Sequence, residues 1–187
     1  MKELLEAIKK YVPSCEQEQK DKELCLLFAE RNPDCLCRKN ETAHFTASAW
    51  IVNRERTKVL FIYHKIYDSW SWVGGHADGE SDLLAAALRE AREETGLRFC
   101  TPVSEDIFSL ELLTVEAHIR KGAYVAPHLH MNVTYLIEAD ENEALKLNKE
   151  ETKDVRWFSF ADALSASTEP KMKERVYQKL INKTVQK

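Results

Sequence analysis

The chain is 187 residues long, with 44% hydrophobic and 31% charged residues and only five glycines and five prolines. That suffices for one domain with a sizeable core and a short appendage, and it excludes two full domains or a chain that is mainly disordered. A formal charge of −4 gives no general attraction to DNA, RNA or anionic membranes, so neither a nucleic-acid nor a membrane partner is expected. Cys15, Cys25, Cys35, Cys37 and Cys100 are odd in number and irregularly spaced, which predicts free thiols in a reducing cytoplasm rather than a disulfide framework. Cys35-Leu-Cys37 lacks a second Cys or His pair at finger-like spacing, so both cysteines read as structural. The start, Met1 to Lys10, is charged and amphipathic without a secretory apolar core, and no apolar run approaches about 18 residues; a cytoplasmic location is expected.

Residues 2 to 12 place Leu4, Leu5, Ile8 and Val12 at helical spacing, and residues 14 to 31 continue with Leu24, Cys25, Leu27 and Phe28 until Asn32-Pro33; two helices are predicted. At His44 the period changes. Residues 44 to 53 and 58 to 64, rich in β-branched and aromatic residues and separated by Arg54 to Thr57, predict a hairpin. A short extended piece from Ser69 to Val73 runs into Gly74-Gly75, and a loop leads to a helix from about Asp82 to Thr95 that stops at Gly96. Extended segments are predicted near 107 to 119, 131 to 138 and 155 to 160, followed by a helical turn at 161 to 165. A closing helix at 171 to 183 turns Val176, Leu180 and Ile181 inward. This order gives an α/β chain with a mixed sheet covered by helices: an N-terminal helical extension at 1 to 40 and a main domain at 41 to 187. The extension has three open roles: packing on the domain, mediating a homodimer, or gating the cleft.

The helix ending at Gly96 carries Glu90, Glu93 and Glu94 within an arc of roughly 100°, with Glu90 and Glu94 one turn apart. Like charges at that spacing repel, which points to a cation or a basic partner. Leu84, Ala87, Leu88 and Ala91 form an apolar stripe that anchors the helix, with the glutamates predicted on a different side.

Gly74-Gly75-His76-Ala77-Asp78-Gly79-Glu80-Ser81, then Asp82 to Leu88, then Arg89-Glu90-Ala91-Arg92-Glu93-Glu94-Thr95-Gly96-Leu97, resembles the Nudix box: a Gly, five residues, a Glu, seven residues, then Arg-Glu-apolar-x-Glu-Glu-x-Gly-apolar. Counted from Gly75 every later position fits except the early Glu, which falls on Ser81 with Glu80 one place before it. The resemblance covers roughly residues 43 to 165. It implies a Nudix-like α/β/α sandwich and metal-dependent hydrolysis of a diphosphate bond in a small molecule, usually a nucleoside diphosphate linked to another group, with Mg²⁺ or Mn²⁺ as cofactor. By carry-over Glu93 and Glu94 are metal ligands, and Glu90 is a third ligand or the general base. Arg89 orients a glutamate within the catalytic set. The Gly75 backbone and the Glu80 side chain are further candidate metal contacts, Ser81 is a candidate helix cap, and Gly75 and Gly96 serve the loop's turn and the helix end.

His128-Leu129-His130 puts two imidazoles on one face of an extended segment, and with His76 or His44 they offer ligands for a transition metal. Taken one by one, each reads more simply as a polar strand or loop residue. A His close to the glycines, His76, with a second at the start of a strand, is also similar to the arrangement in the isopentenyl diphosphate isomerases, a branch of the same superfamily that uses histidines with glutamates around a metal. That branch's cysteine near the glycines is missing: Trp72 stands close to that point, and Cys100 lies past the helix. A non-catalytic nucleotide-binding module is the third reading. Trp50, Tyr63, Trp70 and Trp72 read as core before stacking platform.

Overall fold

The computed structural model describes residues 1–120, 122–148 and 152–186. Two helices, α1 (Lys2–Lys10) and α2 (Glu16–Arg31), precede β1 (Ala43–Val52), β2 (Lys58–His64), β3 (Ser69–Ser71) and β4 (Val73–His76). Helix α3 (Leu83–Thr95) leads to β5 (Cys100–Pro102), β6 (Ser109–Val115), β7 (His118–Arg120), β8 (Ala123–Val125), β9 (His128–Ala139) and β10 (Thr152–Ser159). The chain closes with α4 (Phe160–Ala166), α5 (Pro170–Met172), a π-helical segment (Lys173–Tyr177) and α6 (Gln178–Val185). One sheet runs β10-β2-β1-β9-β5, with β3 on β2, β4 on β1 and β6 on β9; β7 and β8 form a separate ribbon. The expected α/β class is therefore observed. No described helix is long and apolar enough to cross a membrane.

Contacts between residues divide the chain into two compact units. The first comprises Met1–Ala47, Gly75–Ala86 and Asp106–Thr134. In it β6 pairs antiparallel with the first half of β9, from Ser109 opposite Thr134 to Val115 opposite His128. Leu4 and Ile8 of α1 are buried, as are Cys25 and Ala29 of α2, but the predicted inward faces are only half right. Val12 lies beyond the end of α1 and is exposed, with Tyr11 buried in its place, and Leu24 and Leu27 of α2 face outward. The reason is Glu18, a wholly buried carboxylate that shares the inner face of α2 with Cys25 and Ala29. Its Oε2 accepts from Ser14 N at 2.7 Å and Ser14 Oγ at 2.8 Å, and its Oε1 from Ser109 Oγ at 2.7 Å. Beside it, Glu111 Oε2 accepts from Asn132 Nδ2 and Thr134 Oγ1, and Asn132 Oδ1 accepts from Thr46 Oγ1. Buried polar groups are tolerated only when satisfied in this way, so the network fixes α2 on β6.

The second unit comprises Ser48–Gly74, Ala87–Glu105 and Tyr135–Lys187. Here β10 pairs antiparallel with β2 from Thr152 opposite His64 to Ser159 opposite Lys58, three residues earlier than the sequence suggested. Trp50 is fully buried, stacks on Tyr177 at 6.1 Å and donates Nε1–H to Thr184 Oγ1 at 3.0 Å. Trp72 is buried and meets Tyr177 edge-on, so both tryptophans serve the core. Val176, Leu180 and Ile181 are buried as predicted.

His64 closes β2 with Nδ1 accepting from Ile66 N at 3.2 Å and Tyr67 N at 3.4 Å. Burial lowers its pKa to about 4. Unfolded, the imidazole binds a proton near pH 6.5, so the folded form holds fewer protons between those values. Its contribution is complete above pH 6.5 and is lost as pH falls toward 4. Urea melts at pH 7 and pH 5 should show a loss of about 1–2 kcal/mol in the parent that His64→Asn lacks. Equal losses in both proteins would show that His64 is charged in the fold.

Candidate active site

Helix α3 is 13 residues long and starts at a side-chain cap. Asp82 Oδ1 accepts from Ala85 N at 3.0 Å and Asp82 O from Ala86 N at 3.0 Å, which makes Asp82, and not Ser81, the N-cap. Glu80 sits just before it with Oε1 accepting from Asp82 N at 2.9 Å. The early acidic residue thus braces the loop leading into the helix. Gly75 lies within β4 and does not make the turn expected of it. The left-handed residues are Asp78 (φ 50°) and Gly79 (φ 93°), where Gly79 N bonds Leu36 O and Glu80 N bonds Ala77 O. The turn comes after the strand because Gly74 and Gly75 extend β4.

The inward side of α3 also differs from the predicted stripe. Leu83, Ala87, Glu90, Ala91 and Glu94 are buried, whereas Leu84 and Leu88 are only partly so. Positions 83, 87, 90 and 94 follow the four-three-four spacing of one helix face, so two carboxylates lie on the packed face while Glu93 is exposed. Glu94 is 2% exposed and Glu90 9%. Burying two like charges one turn apart is costly unless positive charge or donors answer them. Arg89 Nη1 answers Glu90 Oε1 at 2.6 Å and Glu93 Oε2 at 3.6 Å. Gly74 N–H answers Glu94 Oε2 at 3.3 Å. Gly74, Arg89, Glu90, Glu93 and Glu94 all belong to the second unit. A set made wholly of carboxylate oxygens fits a hard divalent cation such as Mg²⁺ or Mn²⁺.

The first unit holds a second grouping. His44, on β1, lies 5.0 Å from His76, 5.0 Å from His128 and 4.9 Å from His130 between ring centroids. Burial lowers the pKa of His44, that of His76 to about 3 and that of His130 to about 2, so these rings are neutral near pH 7. Arg38 pairs with Asp78 nearby on the same unit.

The NUDIX domain family matches this chain over residues 42–180. The chain belongs to the Nudix family. A probable DHNTP pyrophosphohydrolase of Lactococcus lactis is 26% identical over 142 residues, covering 76% of this chain and 81% of that protein. Among solved structures, a C. elegans Ap4A hydrolase aligns with a TM-score of 0.55 at 20% identity, over 76% of this chain and 95% of its own. The E. coli dihydroneopterin triphosphate pyrophosphohydrolase aligns with a TM-score of 0.54 at 15% identity, over 74% and 95%. At such identities these two likenesses speak to the fold alone. By its family the chain is a hydrolase acting on phosphoanhydride bonds.

In this Nudix chain the motif glutamates were all visible in the sequence, but their division into two buried and one exposed was not. The four-three-four spacing from Leu83 to Glu94 was the available signal, obscured because carboxylates are normally assigned to the outer face. The Gly74 donor left no trace in the sequence. Neither did the gathering of His44, His76, His128 and His130, whose strands meet only in three dimensions.

Proposed function

We propose that the chain is a divalent-metal-dependent hydrolase that cleaves the diphosphate bond of a nucleotide derivative, a nucleoside diphosphate linked to another group. The observation that carries this reading is the buried pair Glu90 and Glu94 on the inner face of α3, beside exposed Glu93. Glu93 and Glu94 would hold Mg²⁺ or Mn²⁺, which when bound offsets phosphate charge and lowers the pKa of water, leaving Glu90 free of the ion to act as base. Arg89, paired with both carboxylates, serves to aim Glu90 and Glu93. Glu90, so held, takes the proton from the attacking water. The new P–O bond forms at one phosphorus as the bridging P–O bond breaks, and the second phosphoryl group leaves with the bonding electrons.

The isomerase reading has less support. Val73, fully buried, precedes the two glycines. Cys100 is held protonated, its pKa raised to about 11 by burial.

The names of the relatives suggest two substrates to try, dihydroneopterin triphosphate and Ap4A, and the proposed bond class adds nucleoside diphosphate sugars, each with Mg²⁺ and with Mn²⁺. Hydrolysis of at least one into two phosphate-bearing products, abolished by chelation, is expected. Tight nucleotide binding without turnover on any would replace the hydrolase with a binding module, and isomerisation of an isoprenoid diphosphate without phosphate release would replace it with the isomerase.

A further inference from the structure

We propose that His44, His76 and His130 form a transition-metal site for Zn²⁺ or a similar divalent ion, a proposal that does not rest on the hydrolase reading. The chain has six histidines. His44, His76, His118, His128 and His130 all fall in the first unit, and His64 alone lies outside it. One ligand nitrogen from each of His44, His76 and His130 can be chosen so that all three lie within 4.8 Å of one another. Zn–N bonds of roughly 2.0–2.1 Å at tetrahedral angles need nitrogens about 3.3 Å apart, a closure within reach of small side-chain rotations.

A hydrogen bond fixes which nitrogen of His44 is available. His44 Nδ1 lies 3.0 Å from the Asn40 carbonyl. A carbonyl only accepts, so Nδ1 carries the proton and Nε2 presents its lone pair. His44 is 3% exposed, and its Nε2 is a buried nitrogen without a hydrogen-bond partner. A buried acceptor left unsatisfied costs free energy and calls for an explanation, and a cation at that point supplies one. The backbone carbonyl is also the outer partner that commonly orients a metal-bound imidazole. His128 repeats the arrangement, with Nδ1 2.9 Å from the Ala126 carbonyl and Nε2 3.2 Å from His130 Nε2.

The donor chemistry decides the class of ion. Imidazoles suit Zn²⁺, Co²⁺, Ni²⁺ or Fe²⁺, whereas Mg²⁺ prefers oxygen. Three protein ligands leave a fourth position for water or for the adjacent His128. The ion would join the start of β1, the end of β4 and β9 within one unit.

The test uses the full-length protein without a histidine tag. Purified in Mg²⁺ and exposed to Zn²⁺ against a competing chelator, the parent should retain one Zn²⁺ per chain. Co²⁺ in its place should give the visible absorption of a low-symmetry, nitrogen-bound ion. His44→Asn and His130→Asn should each weaken Zn²⁺ binding at least about tenfold, while His64→Asn leaves it unchanged. Zn²⁺ should also raise the parent's melting temperature and not that of His130→Asn. Circular dichroism checks that each variant folds; should His44→Asn fail, partly exposed His130 decides. A parent that retains no Zn²⁺, or whose affinity is matched by His130→Asn, overturns the site.

Discussion

Replacing Glu94 by Gln is expected to lower hydrolysis by on the order of a thousandfold while leaving the protein folded. Glu94 is 2% exposed, and the amide keeps both the volume of the side chain and an oxygen to accept the Gly74 N–H now 3.3 Å from Oε2. What the substitution removes is charge. If the carboxylate holds a divalent ion, kcat falls and the Mg²⁺ concentration for half-maximal rate rises. The melting temperature without metal holds or increases, because a buried charge has gone. Exposed Glu93→Gln should give a similar loss of activity without that stability gain. Turnover unchanged in both variants would remove the glutamates from the reaction.

Gly96→Ala is expected to destabilise the fold by about 3 kcal/mol, lowering the melting temperature by roughly 10 °C. Gly96 ends α3 with φ 74°, a left-handed geometry that an added methyl group disfavours. Its N–H bonds Arg92 O at 2.9 Å, and Lys146 N bonds the neighbouring Thr95 O at 2.8 Å. A Cβ at position 96 would stand 2.4 Å from Lys146 Cβ and 2.8 Å from Lys146 N. The obstacle is backbone, not the far end of a flexible chain, so the segment carrying Lys146 must move. An unchanged thermal melt would show that this closure is loose. The glycine in the motif therefore has two duties: it ends the helix, and it lets residues 95 and 146 approach.

Much of the fold follows from local pattern. The β-branched and aromatic runs at 44 to 53 and 58 to 64 became β1 and β2, and Gly96 marked the end of α3 within a residue. The structure departs from that pattern where a side chain's tertiary partner overrides its usual preference. Glu18 was invisible as a core residue because a carboxylate is normally exposed, yet Ser14 and Ser109 satisfy it inside. Its inward turn carries Leu24 and Leu27 outward. Gly75 reads as the residue of a turn, but with Gly74 it serves a strand, and the left-handed positions fall to Asp78 and Gly79.

The sequence by itself determined the family resemblance and the positions of Arg89, Glu90, Glu93 and Glu94, because a helix repeats every 3.6 residues and nearby carboxylates on it are neighbours whatever surrounds them. Tertiary structure alone decided that Glu90 and Glu94 are buried while Glu93 is exposed, since burial depends on what packs against the helix. It alone brought His44, His76 and His130 together from three strands. Each of those histidines is unremarkable in sequence, and their meeting depends on strand pairing between residues far apart in the chain.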